Sequence, residues 1–176
     1  MDATKKCLIA YYSRKGQNYV GGKIVDLKVG NTEVVAKMIW DAVGGDLFQI
    51  ESVSAYPRDY DAAIKVAEAE LRAKARPALT GRVENIAAYD VVFLGYPNWW
   101  GTMPMPVYTF LESHDLSGKT IIPFCTHEGS GLGHSESEIA KACPKATVKK
   151  GLAVLGSGAG AAGSAVARWL ERSGIA

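Results

Sequence analysis

Cys7-Leu8-Ile9-Ala10-Tyr11-Tyr12 is an unbroken apolar run between Lys5-Lys6 and Ser13-Arg14. A strand with one wet face alternates apolar and polar residues, whereas a run without alternation needs cover on both faces, as in a parallel sheet between helices. Comparable runs recur at Asp46 to Ile50, at Val91-Val92-Phe93-Leu94-Gly95, at Thr120 to Cys125 and within Thr147 to Leu155. Segments of helical period separate them. Alternating βα units of this kind predict an α/β protein: a five-stranded parallel sheet as the middle layer of a three-layer sandwich, forming one domain over residues 1–176.

The helices carry their own signals. Val34, Val35, Met38, Ile39 and Val43 give the helix opened at Asn31 one apolar face, and Gly44-Gly45 stops it. Tyr60 to Ala75 places Ile64, Ala67 and Leu71 on one face and ends before Pro77. Ser135-x-x-Glu138 reads as a capping box, and the last helix turns Val166, Trp169 and Leu170 inward before Gly174. The polar, glycine-rich segment between Ser13 and Asn31 interrupts this regularity. Asn18-Tyr19-Val20 and Lys23-Ile24-Val25, joined by Gly21-Gly22, suggest a hairpin that is either a surface insertion or a flap beside a site.

Composition narrows the function. With 176 residues, 48% hydrophobic and 22% charged, the chain is near the globular average. A net charge of +2 with no basic cluster excludes a nucleic-acid surface; Lys5-Lys6 and Lys149-Lys150 read as flanks of buried strands. Cys7, Cys125 and Cys143 are odd in number and lack C-x-x-C spacing, which excludes a disulfide scaffold and a thiolate zinc site and favours a reducing compartment. The first apolar run is too short for a secretion signal, so the expected location is the cytoplasm. Residues 91–111 carry no charge, but Pro97, Asn98, Gly101, Pro104 and Pro106 argue against a membrane span.

In an open parallel sheet, ligands bind beyond the carboxyl ends of the strands. After the first strand stand Ser13 and, past the insertion, Gly30-Asn31-Thr32-Glu33 at a helix N-terminus, where free N–H groups and the dipole favour a phosphate. Taken alone, Asn31 or Thr32 reads as a simple helix cap before it reads as a phosphate site. After the third strand comes Gly95-Tyr96-Pro97-Asn98-Trp99-Trp100-Gly101-Thr102-Met103-Pro104. Neighbouring side chains point differently, so at least one of Trp99 and Trp100 is available to stack on a flat ligand. After the fourth strand comes Cys125-Thr126-His127-Glu128-Gly129-Ser130-Gly131-Leu132-Gly133, whose glycines would let backbone approach a ligand.

In Tyr12-Ser13-Arg14, Gly30-Asn31-Thr32-Glu33, Gly95-Tyr96-Pro97-x-Trp99-Trp100-Gly101-x-x-Pro104 and Thr126-His127-x-Gly129-Ser130-Gly131, the chain resembles the flavodoxin-like family over nearly its whole length. The resemblance implies FMN as cofactor, a sheet in the order 2-1-3-4-5, and redox work. It assigns Ser13, Arg14, Gly30, Asn31 and Thr32 to the phosphate. Pro97, Asn98, Trp99, Trp100 and Gly101, with Thr126, His127, Gly129, Ser130 and Gly131, would enclose the isoalloxazine. It also turns a backbone carbonyl beside Gly101 toward the flavin. The chain departs from the family in the insertion after Ser13, in its slightly basic charge, and in having no aromatic ring but His127 within residues 126–133.

Other patterns are weaker. Gly158-x-Gly160-x-x-Gly163 matches a dinucleotide fingerprint but leaves no room for the following strand, so it reads as close packing of the last helix on the sheet. His127, Glu128 and His134 lack metal-ligand spacing, Cys125 reads as a buried strand residue rather than a catalytic thiol, and His114 as a surface residue. The leading expectation is an FMN electron carrier serving reductase and acceptor proteins and cycling its flavin through three oxidation states. The alternative is an FMN-dependent NAD(P)H:quinone-type reductase.

Overall fold

The computed structural model describes residues 5–175. Its elements are β1 (Cys7–Tyr11), β2 (Gly16–Val20), β3 (Lys23–Leu27), α1 (Asn31–Val43), β4 (Asp46–Gln49), α2 (Tyr60–Ala73), β5 (Val91–Pro97), α3 (Met105–Ser113), β6 (Thr120–His127), α4 (Ser135–Ala142), β7 (Thr147–Val148), β8 (Leu152–Leu155) and α5 (Gly163–Ser173). The main sheet runs β4-β1-β5-β6, with β7 and β8 both parallel to the outer side of β6. That is the expected order, except that the fifth position holds two short strands. β2 and β3 form a separate antiparallel hairpin, Tyr19 opposite Ile24, as the insertion predicted.

Both faces of the sheet are covered. Cys7, Ile9, Tyr11, Phe93, Ile122 and Phe124 pack with α1 and α5. Leu8, Ala10, Tyr12, Val92, Leu94, Tyr96 and Ile121 pack on the other side with α3 and α4, and Leu71 of α2 joins them. Alternate residues of β1 therefore feed opposite cores, which explains why its sequence does not alternate.

The split of the fifth strand has a cause in β6. Lys149 donates its N–H to Ile121 O at 2.9 Å, so Ile121 presents its backbone to the outer edge. Backbone direction alternates along a parallel strand, so Pro123 presents to the same edge and has no N–H to give. Pairing stops at Ile121 and resumes at Phe124. Gly151 fills the gap, since a Cβ there would stand 2.9 Å from Pro123 O.

Three further expectations are corrected. Ser135 does not cap α4: it accepts from the Tyr96 hydroxyl at 2.8 Å and donates to Leu132 O at 2.6 Å, inside the protein. Gly158, Gly160 and Gly163 are not packing glycines, because a Cβ on any of them would meet open space. The buried residues there are Ala159 and Ala162. His114 is not on the surface but is 6% exposed, held between Phe110 O, 2.8 Å from Nδ1, and the Val83 N–H, which Nε2 accepts at 3.2 Å.

Burial holds the His114 imidazole below its ordinary pKa, 6.5, and hence neutral in the fold. The unfolded chain then binds more protons as pH falls through this range. The stability His114 contributes is complete above about pH 6.5 and is lost as pH drops through the lower, folded-state pKa. In thermal melts between about pH 7 and about pH 5, His114→Gln, which can keep both hydrogen bonds, should show a shallower loss of Tm than the wild type.

Candidate functional site

β1 leads to α1 on one face of the sheet and the neighbouring β5 leads to α3 on the other, so a crevice opens at their carboxyl ends. It is a cleft of about 400 Å³. At one end lies the N-terminus of α1, preceded by Gly30 in extended conformation without a side-chain cap of its own. The cap comes from Ser13, at the end of β1: its Oγ accepts the Glu33 N–H at 3.1 Å. Only glycine fits at position 30, because a Cβ would stand 2.2 Å from Ser13 Oγ and 2.7 Å from Arg14 O. Val34 N–H reaches Gly30 O at 3.2 Å, while those of Asn31 and Thr32 have no acceptor among the described residues. Both of these residues line the cleft. Thr32, buried, shares a hydroxyl hydrogen bond of 2.7 Å with Thr126, tying the helix start to the end of β6.

The loop after β5 is a two-residue hairpin. Trp99 and Thr102 exchange N–H···O bonds of 2.9 and 3.2 Å, and the two corner residues, Trp100 (φ 56°) and Gly101 (φ 82°), are both left-handed, the signature of a type I′ turn. Asn98 locks this turn in place. Its Oδ1 accepts the Gly101 N–H at 3.0 Å, its Nδ2 donates to Gly131 O at 2.8 Å, and its own N–H donates to Thr126 O at 2.8 Å. Trp99 packs edge-on against Tyr12 and Tyr56, at 5.4 and 5.1 Å between centroids, whereas Trp100 is 49% exposed and donates its indole N–H to Ile64 O at 3.2 Å. The two rings diverge as adjacent residues should. Both line the cleft.

In the loop after β6, a Cβ on Gly129 or Gly131 would meet open space, whereas Gly133 is closely packed. A Cβ on Gly133 would stand 2.1 Å from Gly101 O, so this close approach serves the contact between the two loops. Gly101 O accepts the His134 N–H at 3.0 Å, which ties the turn after β5 to the start of α4. Gly129 gives its N–H to His127 Nδ1 at 2.9 Å.

The hairpin and α2 complete the walls. Arg14 bonds Gln17 O, Pro57 O at 2.6 Å and Arg58 O at 2.9 Å, clamping the base of the hairpin to the segment before α2. The guanidinium expected at the phosphate is thus taken up by backbone carbonyls. Tyr60 donates its N–H to Gln17 Oε1 at 3.0 Å, and its ring lies 6.4 Å from that of Tyr19.

Of the residues singled out from the sequence, Arg14, Asn31, Thr32, Pro97, Asn98, Trp99, Trp100, Thr126, His127 and Ser130 come together in the lining, whereas Ser13, Gly30, Gly101, Gly129 and Gly131 do not form part of it. Sequence reasoning missed Asn18 and Tyr19 of the hairpin, Tyr60, Ala63, Ile64 and Ala67 of α2, and Glu128 and Gly156. The period of α2 identifies an apolar face, yet not that its first turns face a cleft rather than a core. Burial raises the Tyr12 and Tyr56 phenols well above their ordinary pKa, and the hydrogen bond from Tyr56 to Glu70 adds to the effect. Burial pushes the Cys125 thiol up to about 12, which removes it as a thiolate nucleophile.

A family model described as flavodoxin matches residues 6–173. The chain belongs to the flavodoxin family. A protein from Bacteroides eggerthii described as a flavoprotein is 32% identical over 98% of this chain and 99% of its own, with a TM-score of 0.77. At 18% identity, a flavoprotein from Lactobacillus acidophilus solved in complex with FMN shares the fold with a TM-score of 0.65, over 85% of this chain and 93% of its own. An NADH:FMN oxidoreductase in its apo form shares it at 13% identity and a TM-score of 0.54, over 96% and 86%. No curated protein matches. No helix among the described residues is long and apolar enough to cross a membrane.

Within the flavodoxin fold, the Arg14 clamp is a feature of the insertion. An ammonium cannot reproduce the planar fork that serves separate carbonyls. Arg14→Lys should therefore speed amide exchange across residues 16–27 and cost about 1–2 kcal/mol in urea unfolding.

Proposed function

We propose that the protein binds FMN in the cleft and carries electrons between redox partner proteins. The observation that carries this reading is the pairing, across one cleft, of the unclaimed Asn31 and Thr32 N–H groups with the indoles of Trp99 and Trp100. The N–H groups, with the positive end of the α1 dipole, suit a terminal phosphate without needing a cation. The indoles give a flat ring system an aromatic border. The FMN complex of the Lactobacillus acidophilus relative supports the choice of flavin. Bound there, a flavin supplies one- and two-electron chemistry, and the chain supplies orientation and shielding.

Lining residues favour a carrier over a dehydrogenase-like enzyme. Among the described residues, Arg14 is the only arginine or lysine in the lining, and its guanidinium is spent on carbonyls, so the pyrophosphate of a nicotinamide dinucleotide meets no free lysine or arginine among them. A second reading, the NAD(P)H:quinone-type reductase, draws support from the hairpin, because Tyr19 and Tyr60 wall one side of the cleft and offer a substrate a surface to lie against.

Titrating the flavin-free protein should quench tryptophan and FMN emission together. Asn31→Ala keeps the backbone N–H groups but removes the side-chain amide beside them in the lining, and should weaken FMN binding about tenfold, about 1.4 kcal/mol, with riboflavin binding unchanged. Adding NAD(P)H to the FMN-loaded protein without oxygen should leave the yellow colour in place. Bleaching by NAD(P)H alone would select the reductase, and equal loss of riboflavin and FMN affinity in Asn31→Ala would put the phosphate elsewhere.

A further inference from the structure

One carboxylate at the α1 end of the cleft is explained neither by the fold's core nor by flavin binding as described. Glu128 lines the cleft, and its two oxygens are held by two different loops: Oε2 accepts the Gly21 N–H at the hairpin tip at 3.0 Å, and Oε1 accepts the Ser157 N–H ahead of α5 at 2.7 Å. The hairpin tip also lies against Ser157, since a Cβ on Gly21 would be 3.7 Å from Ser157 Cβ. Gly156 fits closely against both Glu128 and the helix start. A Cβ on Gly156 would stand 2.6 Å from Glu128 Oε1 and 2.6 Å from Asn31 Nδ2. Three segments distant in sequence thus converge on one side chain, immediately beyond the free N–H groups of α1.

We infer that Glu128 is the specificity-determining residue of this end of the cleft. Resting on the flavin reading above, it closes the cleft so that a flavin whose chain ends in a phosphate monoester is accepted, and one whose phosphate carries a further nucleotide is excluded. Geometry and charge act together. A chain continuing past the phosphate has to part the hairpin tip from Ser157 and break both bonds to Glu128. Its second phosphate then meets a carboxylate rather than a cation. A terminal phosphate needs no such opening, although the same negative charge moderates its affinity.

The test uses the full chain freed of flavin, with dissociation constants for FMN, FAD and riboflavin read from fluorescence quenching. Wild type should prefer FMN to FAD by about a hundredfold or more. Glu128→Ala removes both bonds and should narrow that preference at least tenfold. Glu128→Asp keeps the charge but is one methylene too short to hold both N–H groups; it should narrow the preference similarly and covers the case in which the alanine variant does not fold. Glu128→Gln keeps the length, removes the charge and leaves an acceptor for only one of the two N–H groups; it should tighten FMN several-fold with riboflavin unchanged. An FMN:FAD ratio that stays within twofold of wild type in both shortened variants overturns the inference, as does a wild type that binds FAD as tightly as FMN. A wild type that binds no flavin overturns the flavin reading, and this inference with it.

Discussion

The hydroxyl of Ser13 holds the end of β1 to the start of α1 even though an entire hairpin is inserted between them. It accepts the Glu33 N–H and lies so close under Gly30 that no side chain fits there. The helix N-terminus consequently stays at the carboxyl edge of the sheet, as it would if the connection were short. Everything at that end of the cleft inherits this: the free N–H groups of Asn31 and Thr32, the hydroxyl pair of Thr32 and Thr126, and the close fit of Gly156. The hairpin is tied down separately, at its base by Arg14 and at its tip by Glu128.

A second set of ties makes one body of the loops after β5 and β6. Asn98 binds both, and the Gly101 carbonyl is met by the His134 N–H with Gly133 pressed against it. Behind them, the buried Tyr96 hydroxyl passes a hydrogen bond to Ser135 and so to Leu132 O. Burial keeps the Tyr96 phenol protonated far above neutral pH, so this chain of donors persists throughout the physiological range. A rigid aromatic turn results, with Trp99 anchored in the core and Trp100 left at the mouth.

The strands and the three loops were legible because burial on both faces and turn residues leave local marks, whereas the order of the strands was implied only by the family resemblance. What escaped notice depended on partners distant in sequence. Pro123 looks like any strand residue until its outer neighbour needs an N–H from it. Ser135-x-x-Glu138 has the spacing of a capping box, yet Tyr96, 39 positions upstream, claims the hydroxyl. Arg14 stood beside the expected phosphate, but its guanidinium is engaged by the carbonyls of Gln17, Pro57 and Arg58. His114 is drawn inward by an N–H at Val83 that no local pattern reveals. The face of α2 was recognised as apolar, but only the tertiary fold turns Ile64 and Ala63 toward the cleft.

The interruption at Pro123 also bears on how the molecule behaves in a crowded solution. An exposed sheet edge is a template for pairing with another chain, and long regular edges promote fibrils. Here one outermost position is divided into strands of two and four residues, with Lys149 and Lys150 at the break, and the opposite edge, β4, is four residues long. Neither edge offers an intruding strand a continuous ladder, so the proline that breaks the regularity of the sheet also guards it against self-association.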